Sequence, residues 1–263
     1  MTTSTRAGTD AADSATDSRP RGPAPEIGVV VARYREDVAW LAELGLPGVL
    51  YDKGPEPPAG LAPGIRREAL PNLGREAHTY LTHIIARYHA LPPFTAFLQG
   101  DPFAHLAPPE EPRPTPAALR ARLLDLAAQN RPFTGLAWFR LRCDALGRPH
   151  DLADPAKEGR WKGWGKDIPV GRTFEALFGA PPPREFIARA PTGNMLVRRD
   201  RILARPLSFY ERALALVLAD ADDAENTGHA FERLWQAIFS GAAGGAGEGE
   251  APGAAGPAAA RTL

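Results

Sequence analysis

Apolar residues divide the chain into alternating short strands and amphipathic helices. Ile27-Gly28-Val29-Val30-Val31-Ala32 is a continuous apolar, β-branched run between polar residues, the pattern of a strand buried on both faces of a mostly parallel sheet. Residues 38–44 have helical spacing and an acidic first turn, which complements the positive end of a helix dipole. Pro47 and Gly48 close that segment and Val49-Leu50-Tyr51 predicts a second strand, giving a βαβ order. After a Pro/Gly loop at 54–64, Ala77, Tyr80, Leu81, Ile84, Ile85 and Tyr88 fall on one helical face, with Asn72 as the expected N-cap. Phe94-Thr95-Ala96-Phe97-Leu98 predicts a third strand, running directly into Gln99-Gly100-Asp101-Pro102-Phe103.

Farther along, Thr115 and Pro116 supply an N-cap and a first-turn proline for a helix ending at Ala128. Residues 133–143 are expected to form one strand, with Leu136, Trp138 and Arg140 on one face, and 144–171 to be loop. A last short strand is expected at 194–198, then helices at about 206–219 and 229–239. In the final helix Ala230, Phe231, Leu234, Trp235, Ile238 and Phe239 form an apolar stripe.

Composition sets the limits of this picture. Residues 1–25 and 241–263 lack the large apolar side chains needed to offset the entropy of ordering, so both are expected to be disordered around one domain at 26–240. With 31 basic and 31 acidic residues the formal net charge is zero, which gives no general attraction to nucleic acid. The local group Arg198, Arg199, Arg201 and Arg205 reads either as a phosphate-facing patch or as a solvated helix entrance. A single cysteine, Cys143, excludes an intramolecular disulfide and a cysteine-based zinc site. No apolar run has membrane-spanning or signal-peptide length, and the expectation is a cytoplasmic protein.

Ligands of open α/β sheets bind beyond the carboxyl ends of the strands. Three segments end there in this reading, 33–37, 52–54 and 99–103, and the turn at Gly74 opens a helix whose free N–H groups suit a phosphate. Arg75, on the unfavourable side of the dipole, calls for an anion or a carboxylate partner, although a surface arginine at a capped helix is as simple a reading. Asp101 is placed to hold a divalent cation bridging phosphates, or simply to form an Asp-Pro turn. His78, one turn from Arg75, is the histidine kept as a candidate; His78 and His83 do not share a chelating face. Glu232 beside Arg233 is either a base for an acceptor hydroxyl or, more plainly, part of a solvated helix face. Trp161 and Trp164 suit stacking on a sugar or packing into a gap. The chain has no phosphate loop of P-loop type, no dinucleotide fingerprint and no nucleophile elbow, which argues against kinases, dehydrogenases and α/β-hydrolases.

Val29-Val30-Val31-Ala32-Arg33-Tyr34-Arg35-Glu36-Asp37, Tyr51-Asp52-Lys53-Gly54 and Leu70-Pro71-Asn72-Leu73-Gly74-Arg75-Glu76-Ala77-His78-Thr79-Tyr80-Leu81 resemble successive motifs of a widespread domain of unknown function. So do Phe97-Leu98-Gln99-Gly100-Asp101-Pro102-Phe103 and Phe231-Glu232-Arg233-Leu234-Trp235. That family's pattern is similar to glycosyltransferase-A enzymes. The resemblance implies a single α/β domain of that type, a mostly parallel central sheet flanked by helices. It also implies a nucleotide-sugar donor and a hydroxyl-bearing acceptor. Arg33, Glu36, Lys53, Asn72, Gly74, Arg75, Glu76, His78 and Gln99 are then expected on the donor, and Asp101 and Glu232 in catalysis. Gln99-Gly100-Asp101 takes the place of the metal-binding Asp-x-Asp, so Mn²⁺ or Mg²⁺ would rest on Asp101 alone. Arg35 and Asp52 depart from the expected asparagines. Two other classes remain open: a noncatalytic nucleotide- or glycan-binding partner protein, favoured by the missing Asp-x-Asp, and a nucleotide-sugar hydrolase.

Overall fold

The computed structural model describes residues 25–148, 167–219 and 224–240. The expected tails, except residue 25, lie outside the described residues, as do Trp161 and Trp164. The elements run β1 (Ile27–Arg33), α1 (Trp40–Leu44), β2 (Gly48–Asp52), β3 (Ile65–Ala69), α2 (Arg75–Arg87), β4 (Phe94–Gln99), a 3-10 turn (Phe103–His105) and α3 (Pro116–Ala128). They continue with β5 (Phe133–Gly135), β6 (Leu141–Cys143), α4 (Val170–Phe178), β7 (Phe186–Ala188), β8 (Met195–Arg198), α5 (Arg199–Leu203), α6 (Leu207–Leu218) and α7 (Ala224–Ser240).

Six strands form the central sheet in the order β3-β2-β1-β4-β8-β5. β3, β2, β1 and β4 are mutually parallel, whereas β8 runs antiparallel to both β4 and β5. Side chains alternate across a strand. Val30 and Phe97 therefore enter a core on one face, with α2, α6 and α7, while Val29, Val31, Ala96 and Leu98 enter a second core on the other, with α1 and α3. The central strands β1 and β4 are covered on both sides, which is why they are apolar almost without interruption. Tyr80 of α2 packs between Phe97 and Trp235, at ring distances of 5.0 and 6.0 Å.

Several expectations change. The stretch 133–143 is not one strand: β5 joins the main sheet, residues 136–140 are irregular, and β6 pairs with β7 in a separate two-stranded sheet. β3 lacks an apolar pattern because it is an edge strand with only Ile65 buried; its arginines face solvent and discourage edge-to-edge pairing. The end of the expected loop 144–171 already belongs to α4. Asn72 is not the cap of α2. Gly74 takes that position in the left-handed region (φ 59°), followed by Arg75 (φ 51°), and Asn72 stays exposed. Thr115 does cap α3, accepting from the Ala118 N–H at 3.2 Å.

The basic group 198–205 divides: Arg199 is exposed at the entrance of α5, as the solvated reading expected, whereas Arg201 and Arg205 are half-buried. Arg201 donates to the carbonyls of Phe239, at 2.9 Å, and Ser240, and Arg205 to that of Ile238 at 3.4 Å, so both serve the carboxyl end of α7. Arg198 pairs with Asp200 at 2.6 Å and Arg199 reaches the Leu91 carbonyl. Among the described residues no helix is long and apolar enough to cross a membrane.

Candidate functional site

α1 follows β1 on one face of the sheet and α2 precedes β4 on the other, so the chain diverges between the carboxyl ends of β1 and β4. A cavity of about 610 Å³ lies there, at the switch point where such folds bind ligands. Arg33, Glu36, Lys53, Asn72, Gly74, Arg75, Glu76, Gln99 and Asp101 all line it. Of the expected residues, His78 and Glu232 do not. His78 is buried beneath the turn at 71–74, where burial and the Lys53 charge lower its pKa.

Three fixed groups shape the floor. Arg33 at the end of β1 donates to Asp52 Oδ1 at 2.6 Å, to the Glu56 carbonyl and to the Glu36 carbonyl. Asp52 also accepts from Arg67 at 2.9 Å, so its departure from asparagine gives two arginines a buried counter-charge. Lys53, itself buried, donates to the carbonyls of Leu73 and Arg75, both at 2.5 Å, and ties β2 to the opening turn of α2. Burial first, and Arg75 next, push the Lys53 ammonium down to about 8. Glu36 Oε2 accepts from the N–H groups of Tyr34 and Arg35, at 2.6 and 3.1 Å, closing the turn after β1. Arg35 lies outside the cavity, 4.9 Å above the Tyr34 ring.

Asp101 stands at the rim, its side chain 41% exposed. Oδ1 accepts from the Phe103 N–H at 3.1 Å and Oδ2 meets Arg113 at 3.2 Å. Gln99 is held by Asn194, whose Oδ1 accepts from the Gln99 backbone at 2.9 Å and whose amide reaches Gln99 Oε1 at 3.4 Å. Among the described residues no three His, Cys, Asp or Glu side chains gather as a cation cage. A divalent cation at the rim would have the Asp101 carboxylate to bind, both oxygens of which already have partners in the Phe103 N–H and Arg113.

Glu232 and Arg233 are not a solvated face: both are buried. Glu232 Oε1 accepts from Arg75 Nε at 3.1 Å, and Oε2 meets Arg233 at 3.0 Å and His229 at 3.4 Å. Glu232 thus stands behind Arg75 and aims it, with these donors outweighing burial and holding its carboxyl well below the usual range. Glu76, which does face the cavity, is the opposite case: burial and the Glu232 charge push it up to about 8.

Tyr34, His105 and Asn194 are the site residues the pattern did not single out. Tyr34 directly follows Arg33 at a strand end, and His105 lies four residues beyond Asp101; proximity to those segments was their only signal. Asn194 had none, because its role depends on a residue in a distant strand.

A family described as Protein of unknown function (DUF3431) matches residues 29–249, and the chain belongs to that family. No curated protein matches it.

Proposed function

We propose that this family member is a glycosyltransferase that takes a sugar from a nucleoside-diphosphate donor and passes it to a hydroxyl-bearing acceptor. The observation that carries the reading is the cavity between β1 and β4, whose wall combines Arg33, Lys53 and Arg75 with the opening turn of α2. A cavity of about 610 Å³ is of the size that encloses one such donor. Arg75 and the amino end of α2 would hold the diphosphate, and Tyr34, 38% exposed at the rim, would offer its ring to the base. As the acceptor hydroxyl attacks the anomeric carbon, negative charge grows on the departing diphosphate, and fixed cations aimed at that position lower the barrier. Asp101 would bind sugar hydroxyls, or a Mn²⁺ or Mg²⁺ ion that neutralises the same charge. Glu232, withdrawn from the cavity, would position Arg75 rather than take the acceptor proton.

The test is a thermal-shift screen of nucleoside diphosphates and their sugars, with and without Mn²⁺. One base is expected to raise the midpoint selectively, by about 2.7 kcal/mol of stability at a hundredfold excess over Kd. Arg75→Ala should abolish the shift while Arg35→Ala, outside the cavity, retains it. A flat response to every nucleotide would overturn the assignment. The Gln99 amide at the Asp-x-Asp position favours a second reading, binding without transfer, for which the shift would appear but no acceptor would be glycosylated.

A further inference from the structure

Glu76 on the cavity wall and Glu232 set back behind it form a carboxyl pair that an anion-binding site does not call for. Glu76 and Glu232 are each more than nine-tenths buried, and both face one guanidinium nitrogen: Arg75 Nε lies 3.7 Å from Glu76 Oε2 and 3.1 Å from Glu232 Oε1. Two carboxylates so close and so dry cannot both be ionised at modest cost, because like charges repel strongly where water is absent.

We propose that the pair Glu76 and Glu232 holds a single proton, that Glu76 carries it while Glu232 is ionised, and that Glu76 turns this O–H to the cavity and meets the ligand as a neutral hydrogen-bond donor to a phosphate or sugar oxygen. The ligand half of this rests on the nucleotide-sugar reading; the shared proton does not.

The partners decide which carboxyl keeps the proton. Glu232 has Arg75 at 3.1 Å, Arg233 at 3.0 Å and His229 at 3.4 Å, so its charge is well compensated. The Arg75 cation is farther from Glu76, at 3.7 Å from Oε2, and Glu76 Oε1 has no hydrogen-bond partner in the protein although it is buried. Gly193, in the left-handed region (φ 72°), passes so close that a Cβ there would come within 3.0 Å of Oε1. This neighbour offers Oε1 no side chain, so an ionised Glu76 would leave a buried, charged oxygen unsatisfied, which favours the protonated form. The charged and titratable groups around Glu76 are Arg75 and Tyr80 on its own helix, Lys53 after β2, and Glu232, His229 and Arg233 on α7. Tyr80 also has an unpartnered buried hydroxyl, whose ionisation burial and the two glutamates oppose, so it remains neutral. An ionised Glu76 would repel a diphosphate, whereas a protonated one donates to it.

Two measurements test this. Isotope-edited infrared spectroscopy of protein labelled at glutamate should find a protonated carboxyl at pH 7 that disappears on raising the pH through about 8 and is missing from Glu76→Gln. Glu232→Gln should lose the band as well, because Glu76 then ionises beside an Arg75 released from Glu232; this second variant serves if the first does not fold. Calorimetry with inorganic pyrophosphate then reads the ligand role. Wild type and Glu76→Gln should bind alike at pH 6.5, and at pH 9 the wild type should fall about tenfold behind, the fraction still protonated one unit above its pKa. Lys53 loses charge in the same range, but it does so in both proteins. A wild type without the band, while pyrophosphate still binds, overturns the shared proton alone. A band without pyrophosphate binding at either pH overturns the ligand role together with the nucleotide reading.

Discussion

At the scale of single residues, Asp52 shows how a site cation is fixed. Both oxygens of its carboxylate are committed, Oδ1 to Arg33 and the Gly54 N–H and Oδ2 to Arg67. Burial works against the charge, but these bonds outweigh it and hold the carboxyl below the usual range. Its stabilisation is complete above the ordinary aspartate range and is lost as pH falls below it. Asp52→Asn keeps the shape and removes the charge, leaving the Arg33 guanidinium buried without a counter-charge. A loss of about 3 kcal/mol in urea unfolding is expected, and a change near zero would mean that Arg33 finds another partner. Glu76 has the opposite sign. Its pKa is raised, so stability falls as pH climbs from the ordinary glutamate range to about 8, and Glu76→Gln should flatten that limb of the profile.

At the scale of elements, the opening turn of α2 is where three helices meet. Gly74 sits at φ 59°, a Cβ there would lie 2.2 Å from Val217 Cγ1 on α6, and a Cβ on Gly228 of α7 would lie 2.8 Å from the Gly74 carbonyl. Gly74→Ala therefore combines left-handed strain with overpacking, and urea unfolding should register a loss of about 2–4 kcal/mol. The same variant should weaken nucleotide binding, because Arg75 and Glu76 take their direction from that turn. The strong periodic segments were legible at this scale: α2, the stripe of α7 and the capped start of α3 stand where the pattern put them. β3 and β7 were not, and β5 and β6 were read as one continuous strand. Three to five residues at an edge or in a small sheet bury too few positions for alternation to register, and their partners are distant in sequence.

At the scale of the whole molecule, two apolar cores share one sheet, so neither can form without it. Val30 and Val31 are neighbours in β1 yet belong to opposite cores. One cooperative transition is the expected outcome, with far-ultraviolet circular dichroism and tryptophan fluorescence coinciding in urea. Trp235 reports on one core and Trp40 on the other, and separate midpoints would indicate that the two layers unfold independently.

The sequence by itself determined the α/β class, the buried strands β1 and β4 and most of the cavity wall. Strand ends in such a sheet converge on one edge whatever the details of packing, so segments 33–37, 52–54 and 99–103 could be placed together from pattern alone. Only the tertiary structure decided how the charges pair. Arg75 and Glu232 are 157 positions apart, and Gln99 and Asn194 are 95 apart. Periodicity reports which face of a helix is apolar; it carries nothing about what will cover the polar face. α7 reads as a helix with a solvated side, yet Arg75 at the amino end of α2 docks against Glu232 on that side, and Glu232 and Arg233 are both buried. Burial in turn separates the ionisation of two glutamates that look alike in the sequence, because water no longer screens one from the other.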